Sequence, residues 1–246
     1  MTTVRLMNSL AVLCASFAAL VVLGGALSWM AQRPYFSLRA IEVHGELQHV
    51  TSASVRAAVA GRLKGNYFTM RLDDTRRLLE SVPWVAQASV RRVWPNRLLV
   101  TLVEHRALGV WDDGRLLSDV GDLFVANPAE AEIHGALPAF EGPEAVARDV
   151  ARRYYEFAAL LAPLGMKVAS IAVSDRRSWT VEVTSADDGP TRLELGRDAD
   201  AMTLNDRLAQ IVAAYPMVAA RMGGTPQSID ARYPNGLAAS PPAKSR

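Results

Sequence analysis

Four histidines and three pairs of adjacent acids are the residues of this sequence that could support catalysis or bind a metal. The histidines, His44, His49, His105 and His134, lack the spacing of a metal-binding motif. Local structure accounts for the acid pairs, because the first opens a predicted helix and the other two precede glycine in turns: Asp73-Asp74, Asp112-Asp113 and Asp187-Asp188. No nucleophile-elbow or phosphate-loop motif occurs. The sequence therefore predicts a non-enzymatic protein without catalytic residues, metal, cofactor or small-molecule substrate.

A basic run interleaved with a tryptophan is the feature that would best suit nucleic acid: Arg91, Arg92, Trp94, Arg97 and Arg106. Nucleic-acid-binding domains usually carry a strong positive charge, whereas this whole chain has a formal net charge of +2. If the run lies on strands, alternate side chains face solvent. The pattern favours a solvated sheet face or a protein-binding surface, and we predict no nucleic-acid partner.

The uncharged segment Leu6 to Gln32 predicts a transmembrane helix as a membrane anchor. A helix of this length measures about 40 Å, so it spans the roughly 30 Å hydrocarbon core with tilt. The alternative is a cleaved signal peptide with Ala26-Leu27-Ser28 as the cleavage site, but the apolar stretch is longer than the usual signal core. Residues 1–5 form a short tail before the span, and the nearby positive charges leave the orientation undecided.

Composition excludes three other classes of protein. Half of the residues are hydrophobic, 21% are charged, and the single cysteine, Cys14, lies inside the predicted span. Outside that span the hydrophobic content is ordinary for a globular protein. The chain is therefore not a polytopic membrane protein, a disordered chain or a disulfide-stabilised scaffold.

The residues that follow the span predict a small α+β unit. A half-buried strand at Ile41–Val43 precedes a helix capped by Thr51 or Ser52 and a second helix that begins near Leu72. Pro83 ends this helix, and two strands follow, Val85–Val93 and Leu98–Glu104, joined by the turn Trp94-Pro95-Asn96. The predicted order is strand, helix, helix, strand, strand, with both helices on one face of the sheet.

The rest of the chain predicts a mixed β-domain with two helices over residues 106–236. Turn signals at Asp112-Asp113-Gly114 and Asp188-Gly189-Pro190 predict two hairpins. Apolar periodicity predicts one helix over Glu144–Leu161 and another from about Ala201, which Pro216 kinks or ends. The last predicted strand contains Ile229, Ala231 and Tyr233, and residues 237–246 are predicted to be a disordered tail.

An open edge on this last strand would suit a partner that adds a strand of its own. An unpaired row of backbone N–H and C=O groups binds an extended peptide, and alternate side chains give selectivity. The alternative is an ordinary edge that Pro234 blunts, since proline lacks a backbone N–H.

Several segments of the sequence resemble the FtsQ/DivIB family of bacterial cell division proteins. The longest is Leu-Glu-Ser-Val-Pro-Trp-Val-Ala-Gln-Ala-Ser-Val-Arg-Arg-Val-Trp-Pro-Asn-Arg-Leu at 79–98, followed by Val-Glu-His-Arg at 103–106. The others are Ser-Asp-Arg-Arg-Ser-Trp at 174–179, Leu-Glu-Leu-Gly-Arg at 193–197 and Ile-Asp-Ala-Arg-Tyr-Pro-Asn-Gly at 229–236. They follow one another in order from the membrane span to Gly236.

The resemblance implies a single-pass type II protein of the bacterial inner membrane, with a cytoplasmic tail and a periplasmic carboxyl domain at the division septum. Residues 36–105 would be a POTRA domain and residues 106–236 the β-domain. The protein would be a scaffold that links early and late division proteins, and its last strand would bind FtsB, itself paired with FtsL. The implied partner contacts are Tyr233, Asn235 and Gly236, with Arg176 as the donor to a carboxylate of the partner.

The sequence departs from the family near its end, and it leaves two other functions open. Some family members carry Gly-Trp shortly after the last strand, where this chain has Ala239-Ser240-Pro241, so an aromatic anchor is missing. One alternative function is a POTRA-type periplasmic chaperone or transport component for outer-membrane proteins. Such proteins usually continue into a barrel of alternating strands, for which the sequence has no signal. The other alternative is a membrane-anchored periplasmic enzyme.

Overall fold

The chain divides into two units, Met1–Glu104 and His105–Arg246. A computed structural model describes residues 2–31, 37, 40–62, 66–185, 189–198, 202–233 and 236–241. Each unit has its own sheet, of three strands in the first and nine in the second. The fold is therefore α+β, as predicted, with an apolar helix at the amino terminus.

The amino-terminal helix α1 comprises Thr2–Ala31. Its segment Ala11–Met30 has a mean hydropathy of 2.2, lies exposed, and is long and apolar enough to cross a membrane. Twenty residues at 1.5 Å each match the roughly 30 Å hydrocarbon core. This helix suggests single-pass membrane anchoring. Of the predicted span Leu6 to Gln32, only Gln32 lies outside the described residues.

The rest of the first unit is a three-stranded sheet with two helices. Its elements are β1 (Ala40–His44), α2 (Ser52–Val59), α3 (Leu72–Glu80), β2 (Val85–Val93) and β3 (Arg97–Glu104). The strand order is β1-β3-β2, with β3 parallel to β1 and antiparallel to β2. This confirms the predicted succession of strand, two helices and two strands.

Capping and amphipathicity explain why the two helices form where they do. Thr51 caps α2, and its side chain and that of Ser54 each accept the other's backbone N–H in a capping box. Asp73 and Asp74 lie in the first turn of α3, where the helix dipole favours negative charge.

The Glu104 carboxylate, at the end of β3, binds the loop that precedes α2. It accepts backbone hydrogen bonds from Gln48 at 3.0 Å, His49 at 3.1 Å and Val50 at 2.6 Å, and its side chain is 9% exposed. The ring of His49 contacts the same carboxylate at 3.3 Å and stacks on Trp84 at 3.9 Å. Burial of the Glu104 carboxyl acts to raise its pKa, but these hydrogen bonds together lower the pKa below its ordinary value. One side chain thus satisfies three consecutive backbone donors of the loop before α2.

The second unit is a nine-stranded mixed sheet with two long helices. Its strands are β4 (Ala107–Trp111), β5 (Leu116–Ser118), β6 (Leu123–Phe124), β7 (Ala139–Glu141), β8 (Lys167–Val173), β9 (Trp179–Thr184), β10 (Thr191–Gly196), β11 (Ser228–Asp230) and β12 (Ala238–Ser240). Its helices are α4 (Pro128–Ala131), α5 (Ala147–Leu161) and α6 (Leu204–Met222). The strand order is β12-β11-β10-β9-β8-β7-β4-β5-β6, so β12 and β6 form the two edges.

Helices α5 and α6 build the core of this unit against the sheet. Phe157 on α5 is fully buried and meets Trp179 of β9 edge to face, with ring centroids 6.3 Å apart. Leu208 and Ile211 of α6 lie in the same buried cluster as the inward residues of β9 and β10. Helix α6 begins at Leu204 behind a Thr203 capping box and continues past Pro216 to Met222, so Pro216 does not end it.

The carboxyl-terminal strands differ from those predicted. The strand predicted at Ile229, Ala231 and Tyr233 ends at Asp230, because the Asp230 side chain accepts the backbone N–H of Arg232 at 2.9 Å and turns the chain. The chain then returns as β12 within residues predicted to form a disordered tail. Leu237 and Ala239 pack against the core, which explains why this segment orders.

Candidate partner-binding surface

The edge of the large sheet is formed by β12, which covers β11. The two strands pair antiparallel, with Ser228 opposite Ser240, Ile229 opposite Ala239 and Asp230 opposite Ala238. The predicted free edge on the strand beginning at Ile229 is therefore wrong, since β12 occupies that side. The exposed edge of the sheet therefore lies one strand further out than predicted. It consists of the backbone N–H and C=O groups of β12.

Arg232, directly after β11, is held by carboxylates of two neighbouring strands. Its guanidinium donates to both oxygens of Asp230 at 2.6–3.0 Å and lies 3.2 Å from a carboxylate oxygen of Glu194. Glu194 and Asp230 are register partners on β10 and β11, so the arginine neutralises two acids that would otherwise repel. Hydrogen bonds from Arg232 lower the pKa of Asp230, and those to Asp230 raise the pKa of Arg232.

A cleft of about 540 Å³ beside these strands is lined by four arginines. Its lining residues are Arg176, Ser178, Gly196, Arg197, Arg207 and Arg232. They come from the turn between β8 and β9, the end of β10, helix α6 and the segment after β11. The fold therefore brings together arginines that are far apart in the sequence.

Two features of the cleft wall hold these arginines in place. The Arg207 guanidinium donates to the carbonyl oxygens of Leu195 and Arg197, both at 2.6 Å, which fixes the end of β10 to α6. Gly196 has a φ of +75°, and a Cβ there would lie 2.9 Å from the Arg232 side chain. Glycine at this position thus permits both the backbone turn and the close approach of Arg232.

Arg176 and Arg197 are the cleft arginines with free charge, because neither makes an ion pair or hydrogen bond through its side chain with any residue that the structure describes. Arg176 lies on a tight turn, in which Ser174 accepts the backbone N–H of Arg177 at 2.8 Å. An exposed, unpaired guanidinium on this turn can form a bidentate pair with a carboxylate. The cleft can therefore bind an acidic side chain.

The predicted contact residues are brought together only in part. Arg176 shares the cleft with Arg232, the neighbour of Tyr233. Tyr233 is 58% exposed and Gly236 is exposed, but neither lines the cleft. Asn235 lies outside the described residues, and so does Pro234.

Sequence reasoning missed three of the four cleft arginines. Arg197 and Arg232 lie in the segments at 193–197 and 229–236 that carry the family resemblance, so each of the three short segments supplies one cleft arginine. The presence of an arginine in each of these three segments could therefore have indicated a shared site. Arg207 lies in the first turn of α6, and no sequence pattern distinguishes it from a solvated arginine.

Two of the histidines, His49 and His105, take structural positions. His49 belongs to the Glu104 cluster, and His105 stacks on Phe124 at 4.2 Å. Burial lowers the pKa of His105, against the opposing charges of Asp122 and Asp119. Over the described ranges, no group of three or more histidine, cysteine or acidic residues is placed to hold a metal.

Comparison with known proteins identifies both units. Residues 36–105 match the family model "POTRA domain, FtsQ-type", and residues 109–232 match "Cell division protein FtsQ/DivIB, C-terminal". The chain is 43% identical over 235 residues to a cell division protein FtsQ of Burkholderia pseudomallei, covering 96% of this chain and 92% of that protein. It is 40% identical over 247 residues to the same-named protein of Bordetella pertussis, covering 94% and 88%, respectively.

Proposed function

Because this chain belongs to the FtsQ/DivIB family of cell division proteins, we propose that it is a non-enzymatic scaffold that links early and late division proteins at the septum. Its helix α1 would anchor it in the bacterial inner membrane as a type II protein, with residues 1–5 in the cytoplasm and both folded units in the periplasm. The near-neutral charge of +2 is consistent with protein partners rather than nucleic acid.

We propose that β12 binds an extended segment of FtsB, itself paired with FtsL, by strand addition. The observation that carries this proposal is the exposed edge of β12 beside a cleft with two unpaired arginines. Backbone hydrogen bonds along β12 would supply affinity, and an acidic side chain of FtsB in the cleft would fix the register. The POTRA domain and the span would serve other division proteins.

Tyr233, which follows β11, is our candidate for the role of the aromatic anchor that is missing after the last strand. It directly follows Arg232 in the chain, precedes β12 and has a side chain that is 58% exposed. Interface hot spots are commonly tyrosine and arginine side chains next to each other. We propose that Tyr233 supplies the apolar contact that Gly-Trp supplies elsewhere.

A proline scan along β12 tests strand addition. Successive backbone N–H groups of a strand point to opposite sides, either towards the neighbouring strand β11 or away from the sheet. Proline has no N–H, so each substitution removes one of these donors: Ala238→Pro, Ala239→Pro or Ser240→Pro. Where the donor points outward, we expect the affinity for an FtsB peptide to fall by about tenfold or more, with unchanged unfolding free energy. Calorimetric titration and urea unfolding measure the two quantities.

Val125→Pro is the matched control, because Val125 follows β6 at the opposite edge of the same sheet and is exposed. This variant should bind the peptide normally. If all three β12 variants also bind normally, the partner does not add a strand to β12.

A further inference from the structure

Two exposed aromatic side chains of the POTRA domain lie in neighbouring loops. Trp94, in the turn between β2 and β3, is 67% exposed, and Phe68, in the loop before α3, is 51% exposed. The Arg92 guanidinium joins the two loops, since it donates to the carbonyl oxygen of Met70 at 2.6 Å. The aromatic rings therefore belong to one end of the domain.

The chain enters the POTRA domain from the membrane anchor at this same end. The first residue of β1, Ala40, pairs with Arg97, which in turn pairs with Val93 beside Trp94. Helix α1 ends at Ala31, so residues 32–39 separate it from β1. At no more than about 3.5 Å per residue, eight residues of any conformation cannot span more than roughly 28 Å. The aromatic end is thus tethered close to the bilayer, whereas the opposite end of the sheet is not.

Charges at this end favour an anionic surface. Arg91 makes no ion pair with any described residue, and Arg92 is bound only to a neutral carbonyl, so both keep their charge. Among the described residues at this end, Arg97 pairs with Glu42 and Arg71 with Asp74, and Asp73 lies in the first turn of α3. The excess positive charge therefore lies next to Trp94.

We propose that this end of the POTRA domain docks on the bilayer that holds α1. Trp94 and Phe68 insert among the lipid headgroups, where amphipathic and aromatic rings are stable, and Arg91 and Arg92 contact the phosphates of anionic phospholipids. The docking rests on the proposed membrane anchor. It limits the tilt of the POTRA domain with respect to the membrane and turns its far end towards the periplasm.

Fluorescence quenching by lipids with brominated acyl chains tests this docking in the full chain. Trp29→Phe removes the tryptophan of the span, and Trp84, Trp111 and Trp179 are buried. In vesicles of phosphatidylcholine with phosphatidylglycerol, brominated lipid should quench the Trp29→Phe chain, and adding Trp94→Phe should reduce that quenching by about twofold or more. Arg91→Gln should remove the additional quenching that phosphatidylglycerol causes over phosphatidylcholine alone.

A tryptophan at the opposite end of the sheet is the matched control. Val103 is exposed on β3 and pairs with Gln87, at the far end from Trp94. Val103→Trp, added to the double variant, should restore fluorescence that brominated lipid does not quench. The proposal would be overturned if Trp94→Phe left the quenching unchanged. It would also be overturned if Val103→Trp restored the quenching. Failure of the chain to float with the vesicles would instead contradict the anchor itself.

Discussion

The double substitution Arg176→Glu with Tyr233→Ala is expected to weaken binding of an FtsB peptide by about a hundredfold or more. Arg176 has an unpaired guanidinium in the cleft, so a glutamate there places like charges together when an acidic side chain arrives. Tyr233 has an exposed ring in the segment between β11 and β12, and truncation to alanine removes the apolar contact that we propose for it. Calorimetric titration measures the loss. Unchanged affinity would exclude this surface as the partner site.

Arg177→Glu is the control for the charge change. Arg177 is the next residue of the same turn and is exposed, but it does not line the cleft. It should alter affinity by less than about threefold, since a charge outside the contact acts mainly through screened, long-range electrostatics. A loss as large as that of the double variant would mean that general positive charge, rather than the cleft, governs binding.

Glu104→Ala is expected to destabilise the POTRA domain by about 2–4 kcal/mol. The substitution leaves the backbone N–H groups of Gln48, His49 and Val50 without their acceptor at a site where the carboxylate is 9% exposed. Fluorescence of Trp84, which stacks on His49, reports the unfolding of this unit in urea. Stability equal to that of the unsubstituted chain would show that solvent satisfies these donors.

Stability should also depend on pH through the same carboxyl. The folded-state pKa of Glu104 is lowered from 4.5, so its stabilising contribution is complete above that pH and is lost as the pH falls through the folded-state value. Glu104→Gln should remove this part of the pH dependence. Glu42→Ala is the control, because its ion pair with Arg97 is largely exposed and contributes less than about 1 kcal/mol.

The first unit could be predicted from the sequence because local signals determine each of its elements. Thr51 caps α2, acidic residues open α3, and the turn Trp94-Pro95-Asn96 marks where β2 ends and β3 begins. In the second unit, β8 escaped prediction. A bulge between Val168 and Ser170 shifts the side chains that follow, so the alternation that identifies a strand is broken. The three-residue strand β7 is too short to show any period.

Only the part of the candidate site that lies in the family-like segments could be predicted from the sequence. Arg176 and Tyr233 were found through family resemblance, and the fold places Arg176 with Arg232, the neighbour of Tyr233. The position of β12 could not be predicted, since its ordering depends on contacts of Leu237 and Ala239 with a distant core. Its small residues carry no local preference for a strand. Tertiary packing, rather than local sequence, decides which strand forms the edge.

The brevity of β12 has a thermodynamic consequence. Three residues make few backbone hydrogen bonds, so the amides of this strand open to solvent at a far lower free energy than those of the central strands. A ligand that binds only the closed form stabilises it by mass action. Hydrogen exchange of the β12 amides should therefore slow in proportion to the concentration of bound partner, while that of β8 stays constant. The exchange rate of the β12 amides would therefore report the fraction of the protein that is bound to its partner.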